Sequence, residues 1–226
     1  MKKEIPVYSM KKEKKLLENY FLERLPDRIP SSEVFEILLV VLEERPGSLV
    51  MSPDYRDRKL LREFCHELEL EYFEVEEKKR SLIDRLLGRD TRTFKGGFFI
   101  ARDTERFEIL KSSKGRFYGF SDEAVGKFLG FPEDDIDYFS RRAAKGEVWD
   151  ETEEKVNEMI QNKDVKRNDV KYLGLTSYVP RPEKSNILKA VNKGRKREKT
   201  LLEFDERFDT EIGERYLAEQ LGQTAI

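Results

Sequence analysis

Residues 34–42 constrain the fold more than any other stretch of the sequence. Glu36 is the one polar residue among them, whereas 40% of the residues in the whole chain are charged. Ser31 or Ser32 precedes the stretch as a capping residue, and a Pro-Gly pair at 46–47 follows it, so it predicts a helix. A helix that is apolar almost all round must be buried on every side. Other elements therefore have to pack around it, and 15 Phe and 9 Tyr supply the bulk that excludes a fully disordered chain.

Hydrophobic spacing predicts further elements along the chain. In chain order they are a helix at 16–25, a strand at 48–51, a helix at 60–68, a strand at 69–75, a helix at 82–87, strands at 97–101, 106–110, 116–120 and 172–179, and a helix at 212–221. The first strand–helix–strand unit predicts a βαβ crossover with parallel strands. The short links between the next three strands predict an antiparallel meander.

The predicted fold class is therefore α/β, in the α+β sense of a mixed sheet packed by helices, with a βαβ unit, then the meander, and a helical C-terminal part. We expect residues 1–144 to form an α/β domain that ends in a short helical pair. Residues 145–226 form a mainly helical segment, either as a separate domain or as part of the same one. The seam is expected at Lys145-Gly146.

Composition excludes several classes of protein. The formal net charge is -2, so the chain as a whole does not attract nucleic acid. It has no apolar run of about 18 residues and no apolar signal core near Met1, so we expect a cytoplasmic protein without a membrane partner. One Cys and one His exclude a disulfide framework and a Cys/His metal cage.

The most specific local pattern lies at residues 121–142. Two successive segments each have a Gly-Phe lead-in, early acids and an apolar pair, which predicts two short helices joined by a turn at Gly130. The spacing resembles the helix-turn-helix DNA-binding motif, with Gly126 where a small residue lets the helices approach. The positions expected to be buried are Val125, Leu129, Phe131, Ile136 and Phe139.

The charges of this pair argue against a DNA-reading role. The second helix begins with four carboxylates at 133–137, which would face phosphates, and only Arg141 and Arg142 offset them. Three interpretations stay open: a structural helical pair, a DNA-reading motif and a protein-binding pair. Its acidic residues Asp134, Asp135 and Asp137 could bind Mg²⁺. Alternatively, they could only stabilise the helix by interacting with the positive end of its dipole.

Catalytic patterns are weak. Cys65 and His66 are neighbours on a predicted helix, so their side chains point about 100° apart and do not form a nucleophilic pair. Cys65 falls in the apolar stripe of that helix and is expected in the core. The sequence has no Gly-x-Ser-x-Gly elbow, Walker loop or dinucleotide fingerprint. We therefore predict no catalytic residue, no cofactor and no metal ion, and the sequence favours no enzyme class.

A compact basic run lies at residues 193–199 and could contact nucleic-acid phosphates or an acidic partner. It lacks interleaved aromatic residues for base stacking, and a solvated helix face is the third interpretation. The candidate nucleic-acid-binding residues are Lys193, Arg195, Lys196, Arg197, Lys199, Arg141 and Arg142.

Two segments resemble a group of uncharacterised archaeal proteins that carry a Gly-Tyr-Pro-x-Cys-Cys motif and, later, a Val-Pro-Cys motif leading into a helix with Ala and Gly. Residues 130–139 are similar to the first, and residues 178–181, followed by Ile187, Ala190 and Gly194, are similar to the second. The resemblance implies an archaeal source. Where the motifs have cysteines this chain has Asp134, Asp135 and Arg181, so a thiolate metal or redox role is not implied.

These observations together predict a non-catalytic binding or accessory protein whose partner is another protein. The alternative is a nucleic-acid-associated factor that uses the basic run, with the helical pair as its scaffold.

Overall fold

A computed structural model describes residues 7–76, 96–113, 119–142 and 148–222. Its α-helices are α1 (Val7–Glu18), α2 (Ser31–Val41), α3 (Tyr55–Glu67), α4 (Glu108–Lys111), α5 (Asp122–Phe128), α6 (Glu133–Arg142), α7 (Val148–Gln161), α8 (Lys184–Phe208) and α9 (Ile212–Gly222). A π-helical turn (Asn19–Arg24) extends α1, and 3₁₀ segments span Thr104–Phe107 and Arg167–Leu175. The strands are β1 (Gly47–Met51), β2 (Glu71–Val75) and β3 (Gly97–Ala101). The α+β class and the helical C-terminal part are thereby confirmed.

Packing divides the chain into two compact units. The helical unit combines residues up to Leu38 with residues from Arg141 onward, and the sheet unit comprises Leu39–Ser140. In this grouping the described residues up to Leu38 belong with the C-terminal helices, and the predicted division at residue 144 stays a prediction. The expected seam at Lys145-Gly146 lies outside the described residues.

The predicted central helix, α2, is buried over most of its length. The exposure of its apolar side chains is at most 1% for Val34, Phe35, Ile37, Leu38, Leu39 and Val40. An apolar surface on every side of a helix is satisfied only by burial on every side, so the predicted burial is confirmed for the apolar residues of 34–40, whereas Val41 and Leu42 at the end of the stretch are half-buried.

The three strands form one sheet in the order β1-β3-β2. Both pairings are antiparallel, with Gly47 and Glu71 each opposite Ala101. β1 and β2 run in the same direction, as the crossover through α3 predicts, but β3 lies between them. The predicted mixed sheet with a parallel pair is therefore wrong for the described residues, because the distant strand β3 takes the central position.

Residues 106–110 are helical, which corrects the prediction of a strand. The Asp103 side chain accepts a hydrogen bond from the Arg106 backbone N–H at 3.0 Å and caps a 3₁₀ turn that continues into α4. Phe107 and Leu110, three positions apart, are buried on one face of this turn. The segment interpreted as a hairpin turn is thus a helix cap. The predicted strand at 116–120 lies mostly outside the described residues, and the helix at 82–87 lies wholly outside them.

Residues 172–179 are likewise not a strand. They finish the 3₁₀ segment Arg167–Leu175 and then bend at Ser177, whose φ of 62° is incompatible with extended backbone. The Thr176 hydroxyl donates to the Leu173 carbonyl at 2.7 Å and closes the end of the segment. The aromatic and β-branched residues that suggested a strand serve here to pack the segment against α8.

An ion-pair cluster joins α3 to β2 in the sheet unit. Arg58 and Arg62 bind the Glu74 carboxylate at 3.0 and 2.9 Å. The hydrogen bond from Arg62 is the main reason that the pKa of Glu74 lies below its usual value, and the bond from Arg58 adds to it. The folded state thus binds a proton on this carboxyl less readily than the unfolded chain does.

Glu74→Gln should therefore lower the free energy of unfolding at pH 7 by about 1 kcal/mol. A depressed carboxyl pKa stabilises the fold fully above the unfolded value of about 4.3, and the gain is lost as pH falls through the folded pKa. The difference between wild type and variant in urea unfolding, followed by circular dichroism, should consequently shrink as the pH is lowered from 7 to 3. Glu71→Gln, on an exposed position of the same strand, is the control. An equal loss in both variants at every pH would contradict this assignment.

Candidate functional site: a groove along helix α7

The helical pair at 121–142 forms as predicted. The Ser121 hydroxyl caps α5 by accepting from the Ala124 backbone N–H at 3.1 Å, and Gly130 makes the turn with a φ of 76°. A Cβ on Gly126 would lie 2.8 Å from Cγ1 of Ile136, so only glycine allows this approach of α5 and α6. The pair is confirmed as structure, and its DNA-reading interpretation stays a prediction.

The exposed positions of the pair differ in part from the expectation. Val125 and Ile136 are buried, Leu129 and Phe131 are half-buried, and Phe139 is 44% exposed. The predicted burial of Phe139 is wrong because α6 turns this ring outward beyond the contact with α5. Asp135 is buried while Asp134 and Asp137 are exposed, so the three carboxylates do not converge on one point. Over the described ranges, no group of three or more His, Cys, Asp or Glu side chains is arranged to hold a metal ion.

Cys65 is a core residue, as its place in the apolar stripe of α3 predicts. Burial raises the pKa of its thiol to about 12, with smaller contributions from Glu71 and Glu74. The thiol is therefore protonated at neutral pH and is a weak nucleophile. His66, the next residue, is exposed and does not share its environment.

A concave surface in the sheet unit, about 650 Å³ in volume, is lined by residues that include Asp54, Tyr55, Arg58 and Arg62. Its two arginines would suit an anion. However, both bind the Glu74 carboxylate described above, so an anion would have to displace that carboxylate. We therefore do not take this surface as the site.

The basic run lies in the middle of α8, and the helix distributes its side chains around the axis. Lys196 and Lys199 are exposed, and Lys199 pairs with Glu203 at 3.4 Å. Arg195 pairs with Asp169 at 2.6 Å. Arg197 is 1% exposed and donates a hydrogen bond to the Leu175 carbonyl. Among the other predicted residues, Arg141 is exposed, and the Arg142 side chain is outside the described set.

Aromatic rings meet the basic run from another part of the chain. The Lys193 ammonium lies 5.2 Å from the ring centroid of Tyr178, and the Arg195 guanidinium lies 5.5 Å from that of Tyr172. Lys171 approaches the Tyr172 ring at 4.8 Å. These are cation–π distances, so the structure supplies the aromatic partners that the basic run lacks in sequence.

The 3₁₀ segment Arg167–Leu175 is held against α8 by a close backbone approach. A Cβ on Gly194 would lie 2.1 Å from the Tyr172 carbonyl oxygen, well inside van der Waals contact. The Tyr172 hydroxyl donates to Glu198 at 3.0 Å one turn further along α8. Ile187 and Ala190, which precede Gly194 on the same face, are fully buried. The resemblance to the second archaeal motif thus falls on residues that pack α8.

A groove of about 970 Å³ runs between α7 and the chain from Arg167 to Pro180. Its floor is aliphatic, because Val156, Val170 and Val179 are buried there. The Thr152 hydroxyl donates to the Pro180 carbonyl at 3.0 Å and ties the two walls together. Val156 and Val170 belong to an apolar cluster that also contains Met159 of α7, Val165, and Ile187 and Val191 of α8.

The rim of this groove carries an exposed aromatic ring and charges of both signs. Trp149, the single tryptophan of the chain, is 69% exposed at one end. Glu153 lines the α7 side, and Arg167 and Lys171 line the opposite side. An apolar centre with a polar rim is the usual composition of a surface that binds another macromolecule.

Sequence reasoning did not find this groove. Trp149, Thr152, Val156 and Ile160 recur at spacings of three and four residues, so one stripe of α7 was detectable. The other wall follows α7 closely in sequence, but the pattern at residues 172–179 predicts a strand. Strand geometry places the side chains of these residues on the wrong faces. Without that wall, the stripe indicates only an ordinary core-facing helix.

Comparison with protein-family models, curated proteins and solved structures gives no match for this chain. A search of the helices over the described ranges finds none with the length and apolar character needed to cross a membrane.

Gly194→Ala should destabilise the protein by about 3 kcal/mol, because the added methyl meets a backbone carbonyl that cannot rotate away. The midpoint of thermal unfolding, measured by circular dichroism, should fall accordingly. Gly222→Ala is the matched control: it lies in α9 with no atom within 4 Å of the added Cβ. An unfolding midpoint for Gly194→Ala equal to that of the wild type would contradict the close approach of residue 194 to the Tyr172 carbonyl.

Proposed function

We propose that this protein is a non-catalytic binding or accessory protein that takes a segment of a partner protein into the α7 groove. The observation that carries the proposal is the exposed Trp149 at the rim of an aliphatic groove. Burial of the Trp149 indole against a partner would supply a favourable free energy that the exposed ring does not gain in the unbound protein. Tryptophan is also among the residues that most often dominate binding energies in protein interfaces.

The open shape supports a macromolecular partner over a small ligand. Pockets for small ligands enclose most of the ligand surface, whereas here the largest aromatic side chain stands mostly in solvent. The stabilised 3₁₀ wall, fixed by Gly194 and by the Thr152 bond to Pro180, supports a preformed groove. A preformed site binds with less loss of conformational entropy than one that must be ordered on binding.

The proposal is tested with peptides of 12 residues selected from a random display library on the folded protein. Fluorescence anisotropy of labelled peptides should show about 30-fold weaker binding to Trp149→Ala than to wild type, as for a hot-spot residue. Leu202→Ala removes an exposed apolar side chain of α8 that does not line the groove, and should bind like wild type. In the wild type, Trp149 emission should shift to shorter wavelength as peptide is added.

Peptides that bind the Trp149→Ala and Leu202→Ala variants equally well, with no shift of the wild-type emission, would show that binding occurs elsewhere. Failure to select any binding peptide would also refute the proposal. Circular dichroism of each variant checks that its fold is retained.

A second candidate function is nucleic-acid association through α8, favoured by the exposed side chains of Lys189, Lys196 and Lys199 on that helix. Three phosphate contacts predict that the affinity for duplex DNA falls about 40-fold between 50 and 200 mM salt. Lys196→Glu with Lys199→Glu should remove that binding, while Lys163→Glu, an exposed lysine off α8, should reduce it less. Gel-shift assays with duplex DNA and structured RNA measure this, and no binding at 50 mM salt would eliminate the candidate.

A further inference from the structure

Resting on the proposed function, we infer that the occupant of the α7 groove is an amphipathic α-helix of about three turns from a partner protein. Its apolar stripe is flanked by basic residues on one side and by acidic residues on the other.

The length of the occupant follows from the lining of the groove. Trp149, Thr152, Val156 and Ile160 all line it, and their spacing places them along one stripe of α7. The eleven steps from Trp149 to Ile160, at 1.5 Å per residue, span about 16 Å. A straight partner segment that follows this stripe therefore needs about three helical turns to contact its whole length.

The walls of the groove favour a helical occupant over an extended one. α7 forms one wall and the helical segment Arg167–Leu175 forms most of the other, so the backbone groups of both elements bond within the element. Residues 176–180, which complete the second wall, belong to no strand. A strand would find no sheet edge there to pair with. The floor of Val156, Val170 and Val179 is aliphatic, which suits the leucine-type side chains of an amphipathic helix.

The charges on the two walls specify the flanks of the occupant. Glu153 lines the α7 wall, and Asp150 and Glu154 are exposed further round the same side of that helix. Arg167 lines the opposite wall together with Lys171, whose ammonium also lies 3.5 Å from the Glu198 carboxylate. Basic side chains on one flank and acidic side chains on the other would therefore meet opposite charges on both walls. A nucleic-acid strand would place its phosphates beside the carboxylates of α7, which disfavours it.

The test uses synthetic peptides of 14 residues that share one leucine stripe. Their flanks carry Glu on one side and Lys on the other, Lys on both sides, or Glu on both sides. A scrambled peptide and a mixed-flank peptide with a central proline are the controls. Anisotropy titration of wild type should show the mixed peptide binding about fivefold more tightly than either single-charge peptide. Scrambling or the central proline should remove binding.

Arg167→Glu supplies the protein-side test. It places a carboxylate beside Lys171 on that wall, so the preference for the mixed peptide over the peptide with Lys on both flanks should be lost. Lys166→Glu adds the same charge at a neighbouring exposed position that does not line the groove, and should keep the mixed preference. A wild type that does not distinguish the flanks, or a central proline without effect, would overturn the inference.

The two proposals fail in different ways. Library peptides that bind in a Trp149-dependent manner while every leucine-stripe peptide fails would leave the proposed function standing and refute the helical occupant. Library peptides that show no dependence on Trp149 would refute both.

Discussion

The arrangement of the helical unit depends on the contact between Gly194 and the Tyr172 carbonyl. Any other side chain at 194 would have to occupy the space of that oxygen. Because the contact is made by backbone on both sides, it sets the distance from α8 to the 3₁₀ segment without help from side-chain rotamers. The position of the segment then determines where Lys171, Tyr172 and Tyr178 lie, and so defines one wall of the groove.

The same contact changes what the basic run can do. The Arg197 side chain lies in the core, where its guanidinium donates a hydrogen bond to the Leu175 carbonyl at the end of the segment. Arg195 is paired with Asp169, and Lys193 lies over Tyr178. Much of this local positive charge therefore stabilises the attachment of the segment to α8, and the charge that faces solvent comes mainly from lysines on the opposite side of the helix.

The elements with strong local signals could be predicted from the sequence. The apolar stretch of α2, the Ser121 cap and the glycines of the helical pair each specify structure through residues a few positions apart. The sheet order could not be predicted, since nothing local shows that β3 enters between β1 and β2. Asp103 shows a different limit: the same residue type begins both turns and helices, and only the burial of Phe107 and Leu110 decides between them. The groove could not be predicted either, because it is formed by two walls and the sequence pattern at residues 172–179 of the second wall indicates a strand.

The helical unit is discontinuous in sequence, whereas the sheet unit is one uninterrupted stretch. Contacts such as the hydrogen bond from the Tyr216 hydroxyl to the Phe21 carbonyl, at 2.8 Å, join segments almost two hundred residues apart. During synthesis on the ribosome, the sheet unit can be completed as soon as it emerges. The first helices must wait, with part of their apolar surface uncovered, until the C-terminal helices have been made.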